Sequence, residues 1–277
     1  MINKSPLVTI FTPNFNNSKY ISETIESIIN QDYSNFEYLI IDDCSSDSSW
    51  EIIQNYAEKD KRIKIIRNKR NLGIVRTRNK GFLNRSSRSK YFAILDSDDV
   101  SLLNRLKIQV EFLEKNQDYG LVGSNVLIID ENSKVIGYRE YPASDNKIRK
   151  KITRYNPFTQ SSIILRTEII DQIGLYDENW HVCQDYDYWL RIGIRWKLAN
   201  VDKPLIKYRI SKTQVKFKNL KETLLNTYLI QVNAIKNYGY QDNIRNIVHR
   251  ILLKSLLILP KIAYYLYKAR LKLKRFI

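Results

Sequence analysis

The sequence has 277 residues, of which 43% are hydrophobic and 27% are charged, and this balance allows one large domain or two modest ones and excludes a disordered chain. The formal net charge is +17, but residues 203–277 hold 17 basic and 2 acidic side chains, which leaves only +2 for residues 1–202. A near-neutral body with a basic C-terminal segment argues against a surface that binds nucleic acid throughout.

The cysteine count and the hydropathy pattern indicate the compartment. Two cysteines, Cys44 and Cys183, are too few for a disulfide-stabilised fold or a cysteine-based zinc site. The N-terminal residues are polar, which predicts no signal peptide, and no apolar stretch approaches the roughly 20 residues that a membrane-spanning helix needs. We therefore expect a soluble, cytoplasmic protein.

The first hundred residues alternate short apolar runs with amphipathic stretches, which predicts a repeated strand–helix order. The predicted strands, which are β-branched or aromatic and apolar on both faces, are Leu7–Phe11, Phe36–Ile41, Ile63–Ile66 and Tyr91–Leu95. The helices predicted between them are Tyr20–Gln31, Ser48–Tyr56 and Ile74–Leu83. Strands that are apolar on both faces indicate a mainly parallel sheet covered by helices on both sides, with right-handed crossovers.

The order is less regular after residue 100. The predicted elements are a helix, a pair of strands, a short strand, a helix and a last strand, at Leu103–Leu113, Leu121–Asp130, Val135–Tyr141, Ile163–Leu165, Tyr186–Ile194 and Leu205–Ile210. From about Lys216 the pattern is helical, with breaks at Gly239 and Pro260. We therefore divide the chain into a domain of residues 1–215, with halves 1–100 and 101–215, and a helical extension of residues 216–277.

Two of the predicted strands end in carboxylates, Ile41–Asp47 after the second and Asp96–Asp99 after the fourth. Ligands bind at the carboxyl ends of strands in open α/β sheets, and parallel strands would bring both clusters to one edge. Crowded carboxylates repel one another, and a divalent cation relieves that repulsion. Three carboxylates in Asp96–Asp99 exceed what a helix cap requires, whereas capping explains Ser45 and Asp47 at least as well as function does.

A basic segment, Asn71–Gly81, lies between the two acidic strand ends. The chain has 8 glycines and lacks both G-x-G-x-x-G and G-x-x-x-x-G-K-[ST], so bound phosphates would not be held by a glycine-rich loop. Arg76, Arg78 and Lys80 could supply the cations instead. A solvated basic helix face is the alternative interpretation.

A third acidic segment, Gln184–Asp187, lies at the start of an aromatic-rich predicted helix. The positive end of the helix dipole would keep a carboxylate at Asp185 ionised and able to accept a proton. When the segment is read alone, N-capping explains Asp185 and Asp187 about as well.

Taken in order, these motifs resemble the inverting family 2 glycosyltransferases, which have the GT-A fold. The matching segments, which cover about residues 5–210, are Val8–Asn16, Ser27–Gln31, Ile41–Asp47, Asn71–Gly81, Leu95–Asp99 and Gln184–Trp189. The resemblance implies a Rossmann-like α/β fold, with a mixed, mainly parallel sheet flanked by helices and a C-terminal helical extension.

The resemblance also implies a nucleotide pocket. Thr12, Pro13 and Asn14, which follow the first strand, would line it, and Asp43 would contact the base. Arg78 would approach the diphosphate. The donor would be a nucleoside-diphosphate sugar, for which we favour a UDP-sugar.

Four further residues would carry the metal and the chemistry. Asp96 would hold the ribose or the water shell of the metal, Asp98 would bind Mn²⁺ or Mg²⁺, and Asp99 would face the donor sugar. Gln184 stands where the family usually has Glu and cannot accept a proton, so we assign it to substrate binding. The role of catalytic base then falls on Asp185 alone.

The sequence departs from the family pattern near the last predicted strand. Many relatives have Tyr-Arg-x-His there, and this chain has Tyr208-Arg209-Ile210-Ser211. The metal would therefore be held mainly through Asp98 and the diphosphate.

The resemblance predicts a metal-dependent hexosyltransferase that transfers its sugar to a hydroxyl of a glycan or a polyprenyl-diphosphate-linked acceptor, in the synthesis of a cell-surface polysaccharide. One rival is a nucleotide-sugar-binding protein that has lost catalysis. A basic nucleic-acid-binding protein is disfavoured, because the body is near neutral and has no recognised nucleic-acid motif.

The segment Ile247–Ile277 interleaves apolar and basic residues. Such a helix can lie in an anionic membrane interface, where each cation contributes ~1 kcal/mol. This predicts a peripheral location at the inner face of the cell membrane. Packing on the body or on a second copy in a homodimer is the alternative.

Overall fold

A mixed nine-stranded sheet lies at the centre of the computed structural model, which describes residues 5–210 and 220–258. Its strands are β1 (Val8–Asn14), β2 (Phe36–Asp42), β3 (Ile63–Arg67), β4 (Tyr91–Ile94), β5 (Val100–Ser101), β6 (Tyr119–Ile129), β7 (Val135–Arg139), β8 (Ile164–Arg166) and β9 (Lys197–Arg209). They are ordered β3-β2-β1-β4-β8-β6-β9-β5, and β7 pairs with β6. The α/β fold class predicted from the sequence is confirmed.

The helices cover both faces of this sheet. They are α1 (Ile21–Ile29), α2 (Ser49–Lys59), α3 (Ile74–Leu83), α4 (Arg105–Lys115), α5 (Asp145–Ile152), α6 (Thr167–Ile173), α7 (Gln184–Gly193), α8 (Leu220–Lys236) and α9 (Ile244–Ile258), with a 3₁₀ turn at Gln160–Ser162. Alternate residues of a strand point to opposite faces, so Ile10 of β1 joins the apolar cluster that contains Ile25 of α1, and Phe11 joins the other, which contains Phe82 of α3.

The N-terminal half is parallel, as the sequence predicted. β1 pairs in parallel with β2 and β4, and β2 pairs in parallel with β3. In the β1–β2 register Asn14 lies opposite Asp42, so both residues are at the carboxyl end of the sheet. β8 then adds to β4 in the antiparallel direction, which brings the second half of the chain to the same edge.

Three differences from the sequence-based elements have physical causes. The helices α5 and α6 were not predicted, because neither has a sustained apolar period. α5 has only two fully buried apolar residues, Ile148 and Ile152, among basic ones, and α6 is only seven residues long. β9 begins at Lys197, well before the predicted start at Leu205, because its polar first half pairs with β6.

The helix α8 packs on the body of the protein. Its residues Ile230 and Ala234 are fully buried in the same apolar cluster as Trp189 of α7. The Tyr240 hydroxyl, beyond the end of α8, donates a hydrogen bond to the Leu190 carbonyl (2.9 Å). The division at residues 215 and 216 stays a prediction.

The helix α9 exposes apolar residues to solvent. The exposed ones are Ile244, Ile247, Val248, Ile251 and Leu252. Within residues 5–210 and 220–258, every helix is too short or too polar to cross a bilayer.

Candidate active site

The site forms where β1, β2 and β4 end side by side. The Asp43 amide donates to the Asn14 carbonyl (2.8 Å) just beyond β2, and the Leu95 amide donates to the Phe11 carbonyl (3.0 Å) just beyond β4. The two acidic segments that follow these strands therefore lie at one edge of the sheet, as predicted.

Thr12, Pro13 and Asn14 are all buried at the end of β1. The Thr12 hydroxyl is hydrogen-bonded to that of Tyr38 (2.9 Å). Asn14 donates through Nδ2 to Asp42 Oδ1 (2.8 Å), and its Oδ1 has no protein partner among the described residues. An acceptor is thus left available at this strand end.

Asp43 fixes the segment that leads into α3. Its Oδ1 accepts hydrogen bonds from Asn68 Nδ2 (2.7 Å) and the Leu72 amide (2.8 Å), and its Oδ2 accepts one from the Gly73 amide (2.9 Å). Gly73 has φ +82°, a conformation that glycine adopts at no steric cost. The position of Asp43 therefore sets where α3 begins and where Arg78 on that helix lies.

Arg78 links the acidic segments to one another. Its side chain is buried, and its Nη2 donates to Asp96 Oδ1 (2.7 Å). Burial alone would lower the pKa of Arg78, but the negative charges of Asp96 and Asp185, together with Tyr176, raise it above its usual value. The guanidinium is therefore a fixed positive charge beside Asp96 that also lowers the pKa of Asp185, and its Nε has no protein partner among the described residues.

The carboxylates of the Asp96–Asp99 turn differ in exposure. Asp96 and Asp98 are half-buried and Asp99 is fully buried. Asp99 accepts hydrogen bonds from the Ser161 hydroxyl and from the Arg209 amide (2.8 Å). Burial, helped by the charges of Asp98 and Asp96, raises the pKa of Asp99 well above its usual value.

Arg209 attaches the end of β9 to this turn. Its fully buried guanidinium donates to the Asp98 carbonyl (2.8 Å), the Asp130 carbonyl (3.0 Å) and Glu23 Oε2 (2.6 Å). Arg209, which belongs to the part of the Tyr-Arg-x-His pattern that this chain keeps, thus supports the acidic turn directly.

The donor set of the turn suits a hard divalent cation. Asp96 and Asp98 offer carboxylate oxygens, which Mg²⁺ and Mn²⁺ prefer. Among the described residues no group of three His, Cys, Asp or Glu side chains is arranged to hold a metal. A cation of this class commonly takes one or two carboxylates from the protein and its other ligands from substrate phosphates and water, which fits these residues.

Asp185 is the second residue of α7 and not its cap. The preceding Cys183 has φ 64°, and Asn156 Nδ2 donates to Asp185 Oδ2 (2.9 Å). Burial raises the pKa of Asp185 above its usual value, against the opposing effects of Arg78, the Tyr186 amide and Asn156. Desolvation therefore affects the pKa of Asp185 more than the positive helix end, which the sequence analysis expected to keep the group ionised. The higher pKa makes the carboxylate a stronger base.

The neighbours of Asp185 have different surroundings. Asp187 is fully buried, paired with Arg191 (2.9 Å), and accepts a hydrogen bond from the Tyr238 hydroxyl (3.0 Å), so its role is structural. Gln184 is buried as the first residue of α7. The turn before α7 is covered by α8, where Asn226 Nδ2 donates to the Val182 carbonyl (3.2 Å).

The family model described as glycosyl transferase family 2 matches residues 9–174. The chain belongs to this family. This chain is 36% identical over 238 residues to an uncharacterized glycosyltransferase, MJ1057, of Methanocaldococcus jannaschii, and the match covers 84% of this chain and 80% of the relative. It is 34% identical over 207 residues to the O-antigen biosynthesis glycosyltransferase WbnJ of Escherichia coli (69% and 75%).

Two solved structures share the fold of the glycosyltransferase. S. aureus TarS 1–349, in complex with UDP-GlcNAc, has a TM-score of 0.65 at 18% identity, covering 91% of this chain and 71% of that one. The mannosyltransferase PcManGT from Pyrobaculum calidifontis, in complex with GDP-Man and Mn²⁺, has a TM-score of 0.63 at 13% identity, covering 98% and 81%. These similarities confirm the GT-A architecture.

The fold of the glycosyltransferase brings further residues to this site that the sequence did not indicate. Asn156 donates a hydrogen bond to Asp185, Ser161 contacts both Asp96 and Asp99, and Gln160, next to Ser161, donates a hydrogen bond to the Tyr176 hydroxyl. They come from irregular segments, so no periodic pattern marks them. The Asn156-Pro157 dipeptide was the available signal, and it marks a turn without assigning a function.

Proposed function

We propose that the protein is an inverting hexosyltransferase that moves a sugar from a nucleoside-diphosphate sugar to a hydroxyl of a glycan or a polyprenyl-diphosphate-linked acceptor. The observation that carries the proposal is the buried Arg78, which is bonded to Asp96 and close enough to Asp185 to influence its pKa. The positive charge of Arg78 thus acts both on Asp96, whose carboxylate suits a metal ion, and on Asp185, the proposed base.

A UDP-sugar is the proposed donor. TarS 1–349, which shares the fold, was solved with UDP-GlcNAc. In the proposal Thr12, Pro13 and Asn14 line the nucleotide pocket, with the unpartnered Asn14 Oδ1 as an acceptor for the nucleotide. Asp43 contacts the base from the position where it already holds the Leu72 and Gly73 amides.

The acidic turn is the proposed metal site. Asp98 would hold Mn²⁺ or Mg²⁺, and Asp96 would bind the ribose or the water shell of the ion. When bound, the ion would neutralise charge on the diphosphate. We propose that Asp99 acts on the donor sugar mainly by fixing this turn, because a direct contact would require its carboxylate to leave Ser161 and the Arg209 amide.

Asp185 is the proposed general base. It takes the proton of an acceptor hydroxyl whose oxygen forms the new bond to the anomeric carbon, while the bond to the diphosphate breaks and its electron pair leaves with the diphosphate. Arg78 stabilises the charge that grows on this leaving group. Gln184, beside Asp185, is assigned to substrate binding. A single displacement with one base inverts the anomeric configuration.

One relative supports the proposed cellular role. WbnJ is an O-antigen biosynthesis glycosyltransferase, and O-antigen is a cell-surface polysaccharide. We propose the same class of product and a cytoplasmic location at the inner face of the cell membrane. The apolar face of α9 and the basic residues after it would contact the anionic lipid.

The test begins with thermal stabilisation by UDP-sugars and GDP-mannose, each with and without Mn²⁺. We expect one nucleotide sugar to stabilise the protein, mostly when Mn²⁺ is present, and the Mn²⁺ dependence to be lost in Asp98→Ala. The anomeric configuration of the product, read by NMR, should be opposite to that of the donor. Retained configuration, or Mn²⁺-independent binding in parent and variant alike, would contradict the mechanism. Binding without turnover would favour the inactive nucleotide-sugar-binding alternative.

A further inference from the structure

Tyr176 is held beside α3, next to Arg78, by two hydrogen bonds with Asn79: the Tyr176 amide donates to Asn79 Oδ1 (2.9 Å), and Asn79 Nδ2 donates to the Tyr176 carbonyl (3.0 Å). Burial raises the pKa of the Tyr176 hydroxyl, and the charges of Arg78, Asp185 and Asp96 all act on it. It accepts a hydrogen bond from Gln160 Nε2 (3.0 Å). Gln160 is therefore bonded to a hydroxyl on which two proposed catalytic groups act: Arg78, which would stabilise the leaving group, and Asp185, which would be the base.

The backbone places Gln160 in the same region. It begins the 3₁₀ turn Gln160–Ser162, and the next residue, Ser161, accepts a hydrogen bond from the Asp96 amide (3.1 Å) and donates one to Asp99. These hydrogen bonds join the 3₁₀ turn to the Asp96–Asp99 turn. They therefore fix the position of Gln160, which is part of the 3₁₀ turn.

The amide of Gln160 has one polar end with which none of the described residues forms a hydrogen bond. The residue is 8% exposed, and its Oε1 has no partner among the described residues. A buried acceptor without a partner costs free energy. Exchanging the oxygen and nitrogen of the amide would leave the NH₂ end unpartnered instead, and a diphosphate oxygen could then accept from it; the binding of sugar-free UDP and GDP separates that case.

An unpartnered amide does not by itself mark a binding site. Gln231 on α8 is also fully buried, donates through Nε2 to the Arg154 carbonyl (2.8 Å), and has an Oε1 without a partner among the described residues. It lies on α8, next to Ile230, which is buried in the same apolar cluster as Trp189 of α7. Gln160 differs from it because the next residue, Ser161, is hydrogen-bonded to both Asp96 and Asp99.

The chemistry of the unused group selects the ligand. The oxygens of a diphosphate only accept hydrogen bonds, so they cannot satisfy an amide oxygen. A hydroxyl both donates and accepts, so it suits either end of the Gln160 amide. In the proposed function the group between the diphosphate and the base is the transferred sugar.

We infer that Gln160 is a specificity residue that binds one hydroxyl of the donor sugar, with Tyr176 holding its amide in place. The inference rests on the proposed function and deepens it, because it divides donor recognition between the nucleotide and the sugar. Removing the amide should therefore weaken the binding of the sugar and leave the binding of the nucleotide unchanged.

The test compares the parent with Gln160→Met, which keeps the side-chain length and removes the amide. Calorimetry with Mn²⁺ would give the affinities for UDP-glucose, UDP-galactose, UDP-GlcNAc and GDP-mannose, and for UDP and GDP as the sugar-free probes. We expect the preferred nucleotide sugar to bind roughly 3- to 10-fold more weakly to the variant, the range for one neutral hydrogen bond. UDP or GDP should bind equally to both, which also shows that the variant is folded.

Gln231→Met is the matched control, because it makes the same change at a buried glutamine on α8 that has no contact with the Asp96–Asp99 turn among the hydrogen bonds of the described residues. It should leave the ratio of nucleotide-sugar to nucleotide affinity at the parent value. Donors that lack single hydroxyls complete a thermodynamic cycle. One of them should bind equally well to the parent and to Gln160→Met.

The outcomes separate the inference from the proposed function. If a nucleotide sugar binds to the parent and Gln160→Met leaves its affinity unchanged, the inference is wrong and the proposed function stands. Weaker binding of sugar-free UDP or GDP to Gln160→Met would also overturn the inference, because the amide would then bind the nucleotide or the cation. If neither nucleotides nor nucleotide sugars bind to the parent, the proposed function fails and the inference with it.

Discussion

Asp185 is surrounded by groups that move its pKa in both directions. Burial raises the pKa, while the positive charge of Arg78 and the hydrogen bond from Asn156 lower it. A base works best when its pKa lies near the working pH and it is still ionised. The balance between desolvation and these two neighbours is therefore what suits this carboxylate to accept a proton.

Replacing the carboxylate tests this role. In Asp185→Asn we expect transfer to fall by roughly 10²–10⁴-fold, the usual contribution of general-base catalysis, with donor affinity nearly unchanged. Donor consumption and calorimetry would measure the two quantities. Asp187→Asn, one residue beyond Tyr186, is the control: it breaks the ion pair with Arg191, so the melting temperature should fall while folded protein keeps its turnover. Equal turnover by parent and Asp185→Asn would refute the role.

The hydrogen bond from Asn156 makes a prediction about pH. The proposed mechanism needs ionised Asp185, so activity should be lost as the pH falls through the pKa of that group. Because the Asn156 donor stabilises the ionised form, Asn156→Ala should raise this pKa and move the acidic limb of the kcat/KM profile to higher pH. An acidic limb at the same pH in parent and variant would show that Asn156 does not influence the base.

At the scale of elements, the position of Arg78 depends on how closely α3 approaches β1. Gly81 on α3 faces the ring of Phe11, and a Cβ added at Gly81 would lie 2.6 Å from that ring. Such a distance forces either the helix or the ring to move. The glycine thus lets α3 lie close against the sheet and hold its arginine beside Asp96.

We therefore expect Gly81→Ala to destabilise the protein by about 1–3 kcal/mol through overpacking, and to lower transfer because Arg78 shifts with its helix. Thermal unfolding and donor consumption would measure the two effects. Gly137→Ala in β7 is the control, since its added Cβ would meet only Ile128, at 3.6 Å or more. Unchanged stability in Gly81→Ala would mean that Phe11 can move aside without cost.

Much of the parallel half could be predicted from the sequence, because its signals are local. Strands apolar on both faces gave β1 to β4, and the acidic residues follow strands, so their common edge needed only the parallel order. Asn156, Gln160 and Tyr176 could not be found in this way. They reach the site because β8 pairs antiparallel with β4, more than 60 residues earlier in the chain, and no periodic pattern encodes that pairing.

At the scale of the whole molecule, charge and exposed apolar surface coincide at the C-terminus. Residues 244–277 contain nine basic and no acidic side chains, and α9 presents exposed apolar residues, of which Ile251 is 61% exposed. An anionic lipid surface matches both properties. The part of the extension predicted as amphipathic beyond residue 258 lies outside the described residues.

Flotation of the full chain with liposomes tests this location. The parent should float with vesicles rich in phosphatidylglycerol, less so at high salt, and Ile247→Ser/Ile251→Ser should float less. Leu83→Ser is the control, because Leu83 on α3 is 67% exposed and outside the C-terminal region. Equal flotation of parent and double variant would contradict a role for α9, and a doubled mass by light scattering that the double variant loses would favour the homodimer.

The contact between Asn226 of α8 and the Val182 carbonyl joins a late part of the chain to the turn before Asp185. During translation the acidic turn and Arg78 leave the ribosome long before α8 does. A nascent chain can therefore assemble its donor half early, but its base-bearing helix lacks this support until α8 has emerged. Activity should therefore appear only after α8 has emerged, which would keep shorter nascent chains from consuming activated sugar.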